Sequence, residues 1–398
     1  MAAIWAGRTN PQSKILVLEG ANTLGVKILI SGGGRCNVTH HKVEATDFAG
    51  SSRHAIVKVL RHFEVPATIA FFRASGVELK QEATGKLFPV TDSARTVLAA
   101  LLEAARLAHV QIKHPWRVEA VRKEEQHFVL EGTAGQICAQ QIVLATGGKS
   151  LPKTGSDGQG YALAQALGHT LSPRIFPALV PLVLPPSHFI RELSGLTLPA
   201  TLEVRSSTNK KLATFTDSTL CTHVGLSGPA VLDISRYYIA AKLEDANSSL
   251  FINWLPNKTT EALVADLQAL RQTTLLTFLR GHLPERLLRA LCLQAGVEAS
   301  MTGDQLTREQ RRMLARTLVH MALPVVGDRG YNHAEVTAGG VPLHELRLNT
   351  MESRCCPGLF LCGEICDVDG RIGGFNFQWA WASGYTAGVA VGKATSSF

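Results

Sequence analysis

Short apolar runs that end at glycine occur near both ends of the chain. Three such junctions are present: residues 14–19 (KILVLE) before Gly20, residues 137–145 (ICAQQIVLA) before Thr146-Gly147-Gly148, and residues 359–362 (LFLC) before Gly363. Nearly continuous apolar runs of this length are typical of strands buried on both faces of a parallel sheet, and the glycines mark the turns that follow them. The sequence therefore predicts an α/β fold to which both ends of the chain contribute strands.

The middle of the chain has a different pattern. Residues 173–199 contain six prolines, which suggests a crossing between domains. Residues 202–215 alternate between apolar and polar as a strand does, whereas residues 261–291 and 307–321 have the periodicity of helices. The sequence predicts a first domain at residues 1–180, an inserted domain of strands and helices at 181–330, and a return to the first domain at 331–398.

Composition limits the classes of partner. The 398 residues carry a formal net charge of +8, but Lys and Arg are scattered and form no block of five or more. A solvated surface explains this charge; a phosphate-rich or nucleic-acid partner is the alternative, and we favour it less.

The eight cysteines include no CxxC pair, which fits reduced thiols better than disulfides. Because we find neither a signal-peptide pattern nor an apolar run of membrane-spanning length, we expect a cytoplasmic protein.

The sharpest chemical motif is the glycine-rich stretch Ser31-Gly32-Gly33-Gly34-Arg35-Cys36-Asn37. Three consecutive glycines leave backbone N–H groups open to an anion, and Arg35 offers a guanidinium fork to the same ligand. A flexible surface turn is the alternative, but the stretch follows the apolar Ile28-Leu29-Ile30 rather than a polar linker. Glu19 ends a predicted buried strand. It is either the acid that accepts the ribose hydroxyls of adenosine in dinucleotide-binding folds or an exposed strand-end carboxylate.

A second group of candidate ligands lies near the C-terminus. The run from Cys362 to Gln378 contains a strand end, acids, glycines and a helix start, which together present a carboxylate to polyol hydroxyls and a helix N-terminus to negative charge. A calcium loop is the competing interpretation, but the acids lack its alternation and its closing Glu. Since parallel strands end at one edge of a sheet, we expect residues 31–37 and 363–376 to meet in space.

These stretches resemble, in the same order, the motifs of the HI0933/YhiN-like flavoproteins, also described as aminoacetone-oxidase-like or BaiN-like. The matching stretches are KILISGGGRCNVT at residues 27–39, ATGG at 145–148 with TGSDG at 154–158, HVGLSGPA at 223–230, and the run from Gly363-Glu364 to Asn376. The resemblance covers nearly the whole chain. It implies a discontinuous Rossmann-type FAD-binding domain with an inserted β-barrel-like and helical region, non-covalently bound FAD, and FAD-dependent oxidoreductase activity.

The resemblance also implies which residues contact FAD. Glu19 would bind the adenosine ribose, the loop from Ser31 to Asn37 the pyrophosphate and the flavin side, and Glu364 the ribityl chain. Residues 374–376 would bind the pyrimidine edge of the isoalloxazine ring, and Val118 the adenine. The full predicted set of cofactor contacts is Glu19, Ser31, Gly32, Gly33, Gly34, Arg35, Cys36, Asn37, Val118, Ala145, Thr146, Gly147, Gly363, Glu364, Asp369, Gly374, Phe375 and Asn376.

The chain departs from the family at its start. The family opens with an apolar strand and a G-x-G-x-x-G turn that leads into a helix whose N-terminus faces the pyrophosphate, and nothing before Lys14 matches that strand. We therefore expect the first strand to be missing from the printed chain, because the true start lies upstream or the product is truncated. Weak FAD binding by the printed chain is the expected consequence.

The family further implies hydride transfer through the flavin N5 atom, between a small organic substrate and a partner such as NAD(P)H or O₂. Arg35 and Asn376 are candidates for polarising the flavin, and no catalytic acid or base is assigned. A flavin-linked RNA-modifying protein and a remnant with weak or no FAD binding are the alternatives. Cys362 and Cys366 are either a redox pair or core residues, and we favour the second interpretation.

Overall fold

The computed structural model describes residues 1–394. Its α-helices are α1 (Ala2–Thr9), α2 (Val26–Ile30), α3 (Arg53–Leu60), α4 (Val65–Ala74), α5 (Ala94–Leu107), α6 (Gln159–Ala166), α7 (Pro229–Glu244), α8 (Thr260–Ala269), α9 (Leu275–Leu279), α10 (Glu285–Gln294), α11 (Arg308–Val319) and α12 (Phe375–Ala394).

The strands of the same residues are short, with two long exceptions in the middle of the chain. They are β1 (Leu16–Leu18), β2 (Thr39–His40), β3 (Phe48–Gly50), β4 (Leu79–Gln81), β5 (Lys86–Pro89), β6 (Gln111–Lys113), β7 (Val118–Glu124), β8 (His127–Gly132), β9 (Gly135–Ala139), β10 (Ile142–Leu144), β11 (Phe176–Ala178), β12 (Leu182–Val183), β13 (Thr197–Arg205), β14 (Lys211–Thr222), β15 (Gly225–Ser227), β16 (Ser249–Asn253), β17 (Met321–Leu323), β18 (Gly327–Asp328), β19 (Val336–Ala338), β20 (Leu346–Arg347), β21 (Glu352–Ser353), β22 (Leu359–Leu361) and β23 (Val368–Gly370).

The chain forms two compact units. The first combines residues 1–177 with the residues from 331 onward, and the second comprises residues 178–330. A discontinuous first unit arises because the apolar runs that build its sheets come from both ends of the chain, whereas the second unit contains the segment with a different sequence pattern.

The pairing of β10 with β22 joins the two ends of the chain in the first unit. The strands are parallel, with Ile142 opposite Leu359 and Leu144 opposite Leu361. All three residues of β22 are buried, as are both ends of β10. Because the strands run in the same direction, the glycine turns that follow them leave the sheet at the same edge.

Other strands of the first unit form separate small sheets. β1 pairs in parallel with β6, and β7, β8 and β9 form an antiparallel meander. The run at residues 137–145 was expected to be one strand, but it divides between β9 and β10, which belong to different sheets. The polar pair Gln140-Gln141 separates the two strands, and this break permits the change of sheet.

The second unit has one antiparallel sheet with helices. Its strand order is β17-β16-β13-β14-β15-β12-β18, and the long hairpin of β13 and β14 forms its centre. The alternation predicted for residues 202–215 belongs to this hairpin, where Leu202 and Val204 are fully buried. Helices α8 to α11 account for the helical periodicity seen in the sequence.

A stripe of glycines lets α12 approach α1 in the first unit. Gly384, Gly388 and Gly392 recur every four residues and therefore lie on one face of α12. A Cβ atom built on Gly384 would lie 3.0 Å from the Cβ of Met1, and one on Gly388 would clash with the carbonyl oxygen of Ala2. Within residues 1–394, we find no helix whose length and apolar character would let it cross a membrane.

The glycine stripe generates a stability prediction. Gly388→Ala should lower the melting temperature of the first unit, because the added methyl group overpacks against backbone that cannot rotate away, at a cost of about 1–3 kcal/mol. Gly281→Ala, in a turn of the second unit, is the control for adding a methyl group where there is room, since a Cβ at Gly281 meets no atom within 4 Å. Calorimetry of both variants checks this; equal melting temperatures would contradict the close α1–α12 contact.

Candidate cofactor site

The two glycines of the turn after β10 are packed too tightly to carry a side chain. This turn comprises Ala145, Thr146, Gly147 and Gly148, and Gly147 has a left-handed φ of 73°. A Cβ atom on Gly148 would lie 2.5 Å from the Thr337 Oγ1 atom and 3.0 Å from the Glu364 Oε1 atom. The glycine therefore brings backbone up to a carboxylate that comes from the turn after β22.

The Glu364 carboxylate connects several segments beside the turns after β10 and β22. Its Oε1 atom accepts a hydrogen bond from the Thr337 N–H at 2.8 Å, and its Oε2 atom lies 2.6 Å from the ammonium of Lys27. The Glu364 side chain is 16% exposed. A held, partly accessible carboxylate of this kind can accept hydrogen bonds from ligand hydroxyls.

The glycine-rich loop presents bare backbone to solvent. Gly32, Gly33 and Gly34 have φ values of 55°, 70° and 86°, which side chains rarely adopt. The loop is closed by a hydrogen bond from the Cys36 N–H to the Ser31 carbonyl oxygen at 3.1 Å. All three glycines are exposed, so their backbone can approach an anion closely.

Arg35 is engaged within the protein. Its Nη1 atom lies 2.6 Å from Glu82 Oε1 and 3.6 Å from Asp92 Oδ1, and its guanidinium stacks 4.0 Å from the ring centre of Phe88. From the sequence, Arg35 is expected to donate to an anion. In the structure its charge is compensated by these two carboxylates.

Asn37 has a buried amide oxygen without a partner. The residue is 8% exposed, and no group of residues 1–394 donates a hydrogen bond to its Oδ1 atom. Leaving such a group unpaired costs about 1–3 kcal/mol, so it is a natural contact for a ligand. Its neighbour Cys36 is fully buried, and burial raises the pKa of that thiol to about 11.

The residues that directly follow the glycine-rich loop contact Gly374 and α12. A Cβ atom on Gly374 would lie 2.6 Å from the carbonyl carbon of Thr39, which is two residues beyond Asn37. The Trp381 Nε1–H donates to the Val38 carbonyl oxygen at 2.9 Å. Residues more than three hundred positions apart thus form one face of the first unit.

The remaining predicted contacts of the C-terminal run have internal partners. Phe375 stacks on His40 with ring centres 4.9 Å apart. The Asn376 amide accepts from the Gly370 N–H at 2.8 Å and donates to the Gly370 carbonyl oxygen at 2.9 Å. Asp369 is buried in β23, and the Gly363 N–H donates to Ser383 Oγ at 2.9 Å.

Glu19 lies beside a second glycine turn. Its Oε1 atom accepts from the Ala21 N–H at 2.8 Å and would be 3.6 Å from a Cβ atom on Gly155. The Arg117–Asp157 ion pair, at 2.6 Å, borders the same region, because a Cβ on Gly20 would meet the Arg117 side chain at 3.3 Å. Val118, the next residue, begins β7.

Sequence reasoning missed two residues of the site. Lys27 belongs to the stretch at residues 27–39 that matches the family, but it was not among the predicted contacts, and Thr337 was not singled out. The sequence contains one indication that these residues belong to a ligand site. Lys27 directly precedes the apolar Ile28-Leu29-Ile30, and Thr337 lies two residues before Gly339-Gly340. Their shared partner Glu364 could not be inferred, since Lys27 and Glu364 are 337 positions apart.

The thiols of the C-terminal run are deeply buried. Cys362 is 4% exposed and Cys366 is fully buried. Burial raises the pKa of Cys362 to about 11 and the pKa of Cys366 well above its usual value. Because the thiolate is the reactive form, these environments suit core packing better than redox chemistry.

The parallel pairing of β10 with β22 and the gathered glycine turns are features of a Rossmann-type dinucleotide-binding fold. The model of the HI0933-like protein Rossmann domain matches residues 1–390, and the chain belongs to this family. Similar proteins include a 3-dehydro-bile acid delta(4,6)-reductase of Clostridium scindens, 34% identical over 99% of this chain and 96% of that protein. A ribosomal RNA dihydrouridine synthase of Escherichia coli is 33% identical over 96% of this chain and 93% of that protein.

Solved structures agree on the fold. A quinol fumarate reductase of E. coli aligns with a TM-score of 0.53 at 14% identity, covering 100% of this chain and 68% of that one. A 3-ketosteroid delta1-dehydrogenase from Sterolibacterium denitrificans aligns with a TM-score of 0.50 at 12% identity, covering 99% and 97%. Membership of this family, together with a reductase among the similar proteins, makes the protein an FAD-dependent oxidoreductase, as the sequence predicted. The open glycine loop, the unpaired Asn37 amide and the Glu364 carboxylate are donors and acceptors of the kinds that FAD requires.

The buried thiols generate one prediction. The double variant Cys362→Ser/Cys366→Ser should keep its FAD and its rate of flavin reoxidation, because neither thiol forms a reactive thiolate near neutral pH. We would reduce the bound flavin with dithionite and follow its reoxidation by a quinone, with Cys138→Ser as the exposed control. Loss of reoxidation with FAD still bound would identify a working redox pair.

The unpaired amide generates another. Asn37→Leu should leave the melting temperature of the FAD-free protein unchanged or raise it, because the substitution removes a buried oxygen atom that has no hydrogen-bond partner. The same substitution should weaken FAD binding about fivefold to tenfold. Asn376→Leu is the contrasting variant, because it leaves the Gly370 N–H and carbonyl oxygen without their hydrogen-bond partner. It should destabilise the FAD-free protein by about 1–3 kcal/mol. If Asn37→Leu destabilises equally and leaves FAD affinity unchanged, Asn37 is structural.

Proposed function

We propose that this protein uses FAD to reduce a carbon–carbon double bond conjugated to a carbonyl group in a small organic molecule. The observation that carries this proposal is the similarity, over nearly the full length, to two kinds of relative whose names describe the saturation of such bonds. One is the delta(4,6)-reductase of a 3-dehydro-bile acid, and the other makes dihydrouridine. A conjugated double bond is electron-poor, so it accepts a hydride at the carbon remote from the carbonyl.

The predicted contacts provide a binding site for the cofactor. In our proposal Glu19 accepts hydrogen bonds from the adenosine ribose, beside the Gly155 turn. Val118 contacts the adenine through its backbone, and the exposed backbone of Gly32 to Gly34 receives the pyrophosphate. Glu364, held by Thr337, accepts hydrogen bonds from the ribityl hydroxyls. The turn at Ala145, Thr146 and Gly147 lies at the same edge because β10 and β22 are parallel.

Near the flavin ring, the chain supplies hydrogen bonds and rigidity. When bound, FAD supplies an isoalloxazine ring whose N5 atom exchanges a hydride with the substrate. Asn37 offers its unpaired Oδ1 atom to an N–H or O–H group of the bound molecule. The Asn376 amide holds the Gly370 backbone and so fixes the turn before α12. Residues 374–376 are the proposed contacts of the pyrimidine edge.

An RNA substrate is the second candidate. It is favoured by the names of the relatives in E. coli and Haemophilus influenzae, both ribosomal RNA dihydrouridine synthases, 33% and 30% identical to this chain. The net charge of +8 fits a polyanionic partner. The uracil ring also contains a double bond conjugated to a carbonyl, so the reaction class is the same and the substrate differs.

For either substrate, NAD(P)H is the proposed donor of electrons to the flavin. O₂ is the alternative redox partner, and it would accept electrons from the reduced flavin.

The substrate class can be tested by single-turnover reoxidation. Flavin reduced with dithionite under anaerobic conditions should be reoxidised by a 4-en-3-one steroid and not by the matched saturated 3-ketone, because only the enone has a conjugated carbon–carbon double bond to accept the hydride. Mass spectrometry should find a product with two added hydrogens.

A uridine-containing ribosomal RNA fragment forms the third arm of the experiment. Reoxidation by this RNA alone would replace the small molecule with the second candidate. Reoxidation by neither the enone nor the RNA would contradict reduction of a conjugated double bond.

A further inference from the structure

Lys27 lies where three segments of the cofactor site converge. Its Nζ atom is 2.6 Å from Glu364 Oε2 and 3.5 Å from the Ser150 carbonyl oxygen, and its helix α2 leads directly into the glycine-rich loop. The side chain is 31% exposed. An ammonium group carries three N–H donors, so these two contacts, one of them long, do not use its full capacity.

Two other cations, Arg35 of the predicted set and Arg117 beside Val118, are paired with acids that are not among the predicted contacts. Arg35 is bonded to Glu82 and stacked on Phe88, and Arg117 is bonded to Asp157. The partner of Lys27 differs from these acids. Glu364 also accepts from the Thr337 N–H, so its carboxylate keeps a hydrogen bond when the ammonium of Lys27 turns to another anion.

We propose that Lys27 binds the pyrophosphate of FAD, sharing its ammonium between the phosphate oxygens and Glu364. The two phosphate groups carry negative charge at neutral pH, and a lysine serves phosphates as a mobile point charge. The neighbouring glycine loop supplies backbone N–H groups to the same anion, and Lys27 supplies the full positive charge that those groups lack. This inference rests on the proposed FAD site and does not depend on the substrate.

A purely structural ion pair would behave differently. If Lys27 only holds Glu364, then removing either partner should disturb the same contact and weaken ligand binding in the same direction. If Lys27 binds the pyrophosphate, the two partners compete for one ammonium. Removal of the Glu364 charge then frees Lys27 and does not weaken the binding of a diphosphate, whereas removal of the Lys27 charge weakens it.

The experiment measures ADP binding to the full chain stripped of flavin. ADP carries the pyrophosphate without the flavin or the ribityl chain, so it lacks the ribityl hydroxyls that Glu364 is proposed to accept from. By calorimetry, Lys27→Gln should weaken ADP binding about tenfold or more and flatten its dependence on salt concentration, while leaving adenosine binding unchanged. Glu364→Gln should bind ADP as tightly as the wild type or more tightly.

Three controls make the result decisive. Lys27→Arg should keep most of the ADP affinity because it keeps the charge, and Lys58→Gln removes an exposed charge of the same unit outside the site. Melting temperatures of all variants separate a binding defect from a folding defect. The inference is overturned if Lys27→Gln and the wild type bind ADP equally, including the case in which neither binds it, or if Lys27→Gln and Glu364→Gln weaken ADP binding alike.

If the proposed FAD site were itself misplaced, Glu19→Gln and Asn37→Leu would also leave FAD affinity unchanged. Failure of Lys27 alone, with Glu19 and Asn37 still required, would leave that site intact.

Discussion

The parallel pairing of β10 with β22 is the constraint on which the site depends. Three residues from each strand bring together turns that are separated by more than two hundred positions in the chain. Both strands are largely buried, so their register is fixed by the core and cannot slip without exposing apolar side chains. The glycines of the two turns then let backbone, rather than side chains, form the edge. That edge is the natural position for a dinucleotide in a fold of this class.

Electrostatics at that edge are organised around one carboxylate. Glu364 accepts a hydrogen bond from a backbone N–H of β19 and another from the ammonium of α2. These contacts connect both elements to the turn after β22, which contains Glu364. A group with this many internal contacts is held in place before any ligand arrives, which reduces the cost of ordering it on binding. The unpaired Asn37 amide has the opposite character, because it is a cost in the free protein that a ligand can relieve.

The sequence predicted the strand ends and the glycine-rich loop, because apolar runs and glycines are local signals. It did not predict that residues 26–30 form the short helix α2, since a run of apolar residues before glycines fits a strand equally well. It also could not predict that Arg35 turns to Glu82, because that choice depends on a partner 47 positions away. Side-chain partners are set by tertiary packing, and the local pattern does not contain that information.

The central claim is that FAD binds along the edge formed by the glycine-rich loop and the turns after β10 and β22. Hydrogen–deuterium exchange of the full chain, with and without saturating FAD, tests it most directly. We expect FAD to slow exchange at residues 31–37, 145–150 and 363–376, where backbone N–H groups would meet the ligand or become ordered by it. Protection elsewhere, with these three segments unchanged, would contradict the account.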